Sequence, residues 1–186
     1  MNYKAVIIGG SAGSFQVVVK ILHSIPKEYP LPIILCLHRL KHVRSGFVEA
    51  LSIKSNIPVE EPYDKDQLKP GRAYLAPANY HLYIEIPNRI ALSTEEAVNH
   101  SRPSIDLAFL TAANAYRNKL IGIILSGANK DGAYGMRKIH EFGGLTIVQN
   151  PDDCEVKAMT QATLQATKVD YIFRTEEIIN FLLKLK

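Results

Sequence analysis

The sequence predicts a doubly wound α/β fold: a mostly parallel sheet with helices on both faces and a small inserted β-hairpin. Three observations predict it. Short, β-branched, uniformly apolar runs recur along the chain, as strands buried on both faces require. Segments with apolar residues at helical intervals separate them, the alternation that builds a parallel sheet under two helical layers. One stretch breaks the alternation, because two strand-like runs are separated only by Pro87-Asn88, a hairpin spacing. The sum is a Rossmann-like three-layer sandwich.

Strands are expected at 4–8, 33–37, 73–76, 121–125, 146–149 and 171–173, with the hairpin at 81–86 and 89–93. Helices are expected at 15–23, 46–54, 105–117, 134–142, 158–166 and 176–184. Ser104 is placed to cap the third helix and Thr175 the last, since a hydroxyl there accepts from an otherwise unpaired N–H. No linker, repeat or shift of composition divides the chain, so one domain spanning 1–186 is expected.

That length suffices to bury a full core. No run approaches the roughly 20 apolar residues that cross a bilayer, so membrane insertion is not expected. The N-terminal run Ala5-Val6-Ile7-Ile8 ends in glycines too soon for a secretory leader. Cys36 and Cys154 lie far apart and outside any metal-ligand spacing, so reduced thiols in a cytoplasmic protein are expected rather than a disulfide or zinc site. A net charge of +4 suits an acidic partner but falls short of the clustered basic stripe that signals nucleic acid.

Gly9-Gly10-Ser11-Ala12-Gly13 follows the first strand and reads G-x-S-x-G. A serine on such a strand-to-helix turn is exposed at the carboxyl edge of the sheet, beside backbone N–H groups and the positive end of a helix. Those are the needs of an activated hydroxyl and an oxyanion site. A dinucleotide fingerprint fits poorly, because Ser11 stands where its second glycine belongs. A glycine-rich turn without chemistry fits the same residues.

A serine nucleophile needs a base, and the base needs an orienting partner. His38 directly follows the second strand, and Asp131 follows the 121–125 strand through Ser126-Gly127-Ala128-Asn129-Lys130. Loops past the carboxyl ends of strands converge on one crevice in an open parallel sheet. A loop histidine bonded to backbone, and an aspartate capping a helix, remain the alternatives. Of the other histidines, His42 and His81 also remain candidates for the base, whereas His23, His100 and His140 lack the placement. The order Ser, His, Asp differs from that of the α/β-hydrolases.

Taken together, these residues resemble the catalytic domain of the CheB family, the protein-glutamate methylesterases of bacterial chemotaxis. The resemblance runs from residue 5 to about residue 173. It is carried by Ile8-Gly9-Gly10-Ser11-Ala12-Gly13, Leu37-His38, Gly71-Arg72-Ala73-Tyr74-Leu75-Ala76-Pro77 and Arg102-Pro103-Ser104-Ile105-Asp106. A further anchor is Ser126-Gly127-Ala128-Asn129-Lys130-Asp131-Gly132-Ala133-Tyr134-Gly135-Met136. The resemblance implies a catalytic triad of Ser11, His38 and Asp131, with backbone N–H groups of Ala12 and Ala128 facing the oxyanion. It implies hydrolysis of glutamate γ-methyl esters on the cytoplasmic helices of methyl-accepting chemotaxis receptors, and deamidation of particular glutamines. No metal or organic cofactor is implied.

The chain departs from the family pattern at Ala12, where a threonine is usual, and at Ala128-Asn129-Lys130, where Met-Gly-Asn is usual. Met159-Thr160-Gln161 stands in place of Met-Pro-Arg. An altered backbone at Asn129 is expected, since asparagine enters positive φ less freely than glycine, together with a pull of Lys130 on Asp131. The receiver domain that usually precedes this catalytic domain is not in the sequence, so a separate regulator or constitutive activity is expected. Arg39, Lys41 and Arg44 after His38 would either steer an acidic substrate or form a solvated loop. The competing functions are a catalytically silent module that binds a receptor or partner, and a hydrolase of another carboxyl ester.

Overall fold

Strand β1 (Ala5–Gly10) sets the frame, because all six of its residues are buried. Val6 and Ile8 enter one hydrophobic core while Ala5 and Ile7 enter another on the opposite face, as the two-residue period of a strand requires. The computed structural model describes residues 3–38 and 46–185. Within them the chain continues as α1 (Phe15–Ser24), β2 (Ile33–Leu37), α2 (Phe47–Lys54), β3 (Val59–Glu60) and β4 (Ala73–Leu75). The hairpin β5 (His81–Glu85) and β6 (Arg89–Ser93) precedes α3 (Ile105–Tyr116) and β7 (Leu120–Ile124). Then follow α4 (Ala133–Glu141), β8 (Leu145–Gln149), α5 (Ala158–Ala166), β9 (Tyr171–Phe173) and α6 (Thr175–Leu183).

The parallel sheet has the order β3-β4-β2-β1-β7-β8-β9, and the antiparallel hairpin stands apart from it. Helices α1, α2 and α6 cover one face through residues such as Leu22, Leu51 and Ile178. Helices α3, α4 and α5 and the hairpin cover the other through Phe109, Met136, Met159 and Leu82. Successive connections run one way from β1 and the other way from β7, so the strand order reverses between them. Crevices open at that switch point, outside the carboxyl ends of the strands.

The doubly wound sheet with its hairpin is the architecture expected from the sequence. Two details differ. Strand β3 was not anticipated: two residues beside Pro58 carry no strand periodicity, and pairing with β4 alone makes them a strand. Thr175 begins α6 instead of capping it, because its hydroxyl donates to Asp153 Oδ2 at 2.6 Å and Arg174 takes the cap position. Ser104 does cap α3, accepting from Leu107 N–H. Arg39, Lys41, His42 and Arg44 lie outside the described residues.

Candidate active site

The serine turn is built from backbone geometry. Ser14 N–H donates to Ser11 C=O at 3.1 Å, and Gly13 has φ +80°, the positive angle that a type II turn requires at its third residue. A side chain at Gly13 would also collide with Glu155 Cβ and Ser126 Oγ. Ser14 Oγ donates to Ser11 C=O at 2.6 Å, so the turn is fastened twice before α1 begins. Ser11 N–H is spent on Ser126 C=O at 2.9 Å. The N–H groups of Ala12 and Ala128 make no hydrogen bond among the described residues, and both residues are exposed.

His38 stands next to this turn. Gly10 and Leu37 are register partners in β1 and β2, so Ser11 and His38 open the loops of neighbouring strands, whose backbones run about 4.8 Å apart. His38 N–H donates to Gly10 C=O at 3.0 Å. Its Nε2 lies 2.8 Å from Asp131 Oδ2. A carboxylate only accepts, so Nε2 carries the proton and Nδ1 holds the free lone pair. The ring is 14% exposed while the Asp131 side chain is fully buried, so the imidazole runs from a dry anchor to a partly exposed edge. Among the described residues no hydrogen bond reaches His38 Nδ1 or the Ser11 hydroxyl.

Asp131 is anchored from the side of α3. Its Oδ1 accepts from Ser104 Oγ at 3.1 Å and Asp106 N–H at 3.0 Å; its Oδ2 accepts from Ile105 N–H at 2.7 Å as well as from His38. The carboxylate thus occupies the N-terminus of α3, where unpaired N–H groups and the helix dipole favour an anion. Burial pushes the Asp131 carboxyl up, but bonds from His38 and from the backbone of Asp106 and Ile105 outweigh it and hold it below the ordinary 3.8.

Asp106 returns the arrangement. Its Oδ1 accepts from Gly132 N–H at 2.9 Å and Gly135 N–H at 2.8 Å, at the N-terminus of α4. Its Oδ2 accepts from Asn99 Nδ2 at 3.3 Å. Gly132 has φ +100°, and a side chain there would strike Ile124 and Ile105. Each helix therefore begins on an aspartate that belongs to the other helix or its entry. Burial, joined by the charge of Asp131, holds Asp106 above the ordinary 3.8 despite the donated bonds from Gly135 and Gly132.

Other residues named from the sequence are placed as follows. His81 is fully buried; its Nδ1 accepts from Ser104 N–H at 3.1 Å and its Nε2 faces Glu96 C=O at 2.9 Å. Both nitrogens are occupied by backbone, which removes it as a base. Asn129 avoids the left-handed region, and its Oδ1 accepts from Asp131 N–H at 3.1 Å; Gly132 makes the sharp bend instead. Lys130 is exposed and forms no ion pair with Asp131. Met159 is buried against Gly127. Cys36 and Cys154 are free thiols.

Three residues escaped the sequence reading as contributors to the site. Ser104 and Asp106 flank a helix start, and that spacing is the signal that could have found them. Ser126 Oγ lies 2.7 Å from Ala12 C=O and 3.0 Å from Val156 C=O, and accepts from Val156 N–H at 2.9 Å. It thereby joins the serine turn, the end of β7 and the segment before α5. No local pattern marks it. Among the described residues no group of three His, Cys, Asp or Glu side chains is placed to hold a metal ion, and no helix is long and apolar enough to cross a membrane.

The family model described as CheB methylesterase matches residues 6–182. A Leptospira interrogans protein, provisionally named for protein-glutamate methylesterase and protein-glutamine glutaminase activity, is 42% identical over 185 residues, covering 100% of this chain and 96% of that protein. The protein-glutamate methylesterase/protein-glutamine glutaminase of Thermotoga maritima is 31% identical over 98% of this chain and 54% of its own length. The crystal structure of the Thermotoga maritima CheB methylesterase catalytic domain superposes with a TM-score of 0.94 at 30% identity, covering 100% of both chains.

Proposed function

Because the chain belongs to the CheB methylesterase family, we propose that it is a serine hydrolase that removes γ-methyl esters from protein glutamates through Ser11, His38 and Asp131. One observation carries the reading: a histidine bonded at 2.8 Å to a buried aspartate stands beside the serine turn. His38 Nδ1 takes the Ser11 proton as Oγ attacks the ester carbonyl. Asp131 holds the Nε2–H tautomer and stabilises the imidazolium that forms. The N–H groups of Ala12 and Ala128 receive the developing oxyanion; Ser11 N–H is already spent on Ser126.

Collapse of the tetrahedral intermediate breaks the bond to methoxy oxygen, and His38 returns the proton so that methanol leaves. Water then attacks the acyl-serine, delivering its proton to His38, and the protein's glutamate side chain departs as a carboxylate while Ser11 regains its hydrogen. A glutamine side chain entering the same cycle releases ammonia in place of methanol. The substrate proposed is the cytoplasmic helical region of a methyl-accepting chemotaxis receptor.

The test follows methanol release from a methyl-labelled receptor cytoplasmic domain. The expected result is release by the natural chain and a loss of about 10³-fold or more in Ser11→Ala. Release that survives in the variant would sink the assignment of Ser11. No release by a folded natural chain, combined with turnover of small esters, would move the reading to another carboxyl ester.

A further inference from the structure

We propose that Asp106 is a positioning residue for the His38–Asp131 pair, acting through the backbone of Gly132. This rests on the methylesterase reading for its catalytic consequence but not for its geometry. Asp131 is held by α3 at its carboxylate, through Ser104 Oγ, Ile105 N–H and Asp106 N–H. Its backbone, however, belongs to the loop that enters α4. Two anchors must agree for the carboxylate to meet His38 Nε2 at 2.8 Å.

The Asp106 side chain is what makes them agree. It accepts from Gly132, the residue directly after Asp131, and from Gly135 one turn further on. One residue therefore gives its N–H to the Asp131 carboxylate and takes an N–H from the next peptide. The chain bends tightly at Gly132 (φ +100°), where a Cβ would lie 2.7 Å from Ile124 and 2.8 Å from Ile105. With Asp106 removed, two N–H donors at the first turn of α4, Gly132 and Gly135, lose their shared acceptor, and the Asp131 backbone is free to shift against a carboxylate that α3 still holds. The His38 bond is then the contact that gives, since the ring is partly exposed while the Ser104 hydroxyl and two backbone N–H groups at the start of α3 hold the rest of the carboxylate.

A plain helix cap would make a different prediction. Its loss lowers stability, yet leaves the tautomer of a histidine on another strand unchanged. Asparagine separates charge from geometry, because its Oδ1 still accepts from both glycines and the Asn99 amide can turn to accept from its Nδ2.

The experiment compares Asp106→Leu and Asp106→Asn with the natural chain by two readouts. The first is kcat and KM for methanol release. The second is the tautomer and proton exchange of the His38 imidazole in nitrogen-15 NMR. Asp106→Leu is expected to lose kcat by about 10²-fold, with KM nearly unchanged and the protected Nε2–H signal gone. Asp106→Asn is expected to keep both. If Leu prevents folding, Asp106→Ala, which admits water to Gly132 and Gly135, gives the same two losses. Retention of kcat and of the Nε2–H signal in the apolar variant overturns the proposal, as does their loss in the asparagine variant. If the natural chain hydrolyses nothing, the methylesterase reading fails alone, and the imidazole signal still decides the role of Asp106.

Discussion

Asp131 uses both carboxylate oxygens fully, and this sets what its replacement does. Oδ1 and Oδ2 each accept two hydrogen bonds. In Asp131→Asn the amide nitrogen must face at least one backbone N–H, whichever way it turns. The variant is expected to lose about 1–3 kcal/mol of stability from a buried donor without an acceptor, read by urea unfolding. Its kcat for methanol release should fall by about 10⁴-fold, since a neutral amide neither fixes the imidazole tautomer nor balances its charge. A variant as stable as the natural chain would show that the carboxylate is not held as described. At this scale the sequence was informative about types and places: Ser11, His38 and Asp131 each stand at a loop after a strand. It was silent on partners. That His38 uses Nε2 toward Asp131, leaving the Nδ1 lone pair free of it, depends on the ring rotamer, which no pattern encodes. That His81 is a backbone-bonded core residue depends on the loops at Glu96 and Ser104.

Helices α3 and α4 meet where Gly135 faces Phe109. A Cβ at Gly135 would lie 2.5 Å from Phe109 Cβ and 3.0 Å from Asp106 C=O. Alanine usually stabilises a helix interior by about 1 kcal/mol relative to glycine, but here the overlap with a neighbouring helix decides the sign. Gly135→Ala is expected to destabilise by about 1–3 kcal/mol and to lower activity more than its stability loss explains, because it pushes α4 away from Asp106. Thermal melting and kcat on the same sample check both parts; a variant that melts higher than the natural chain would contradict the close crossing. Element boundaries were legible wherever an apolar run met a helical period, so β2, α5 and β9 fall at the expected residues. They blurred where pairing decides: β1 extends through Gly9 and Gly10, which no strand propensity favours, because β2 offers partners at Cys36 and Leu37.

The acid response of the whole molecule follows from carboxylates tied across elements. Asp153 joins the end of β8 to the start of α6, accepting at Oδ2 from Thr175 Oγ1 at 2.6 Å, Thr175 N–H at 2.8 Å and Gln149 Nε2 at 3.1 Å. Partial burial raises its carboxyl, but these bonds outweigh burial and hold it below the ordinary 3.8. A depressed folded-state value stabilises the fold above the unfolded value and stops doing so as pH falls through the folded one. Asp131 acts in the same direction, whereas Asp106, raised by burial, opposes it. The melting temperature should therefore fall as pH drops below about 4, and Asp153→Asn should shallow that acid limb while costing roughly 2–4 °C at neutral pH. An unchanged acid slope in the variant would remove Asp153 from the account. The three-layer architecture was legible because burial on both faces leaves its mark on every central strand. The reciprocal aspartates were not, because each lies far in sequence from the helix end it serves.

The strand order reverses between β1 and β7, with Ser11 and His38 on one side of the reversal and Asp131 on the other. A ribosome making this chain releases the serine and histidine early, on a sheet whose central seam is still open. The aspartate arrives only with the strand that closes the seam. On the proposed reading, a nascent chain therefore carries its serine and histidine before the aspartate that pairs with His38 has docked, and hydrolysis waits for that docking.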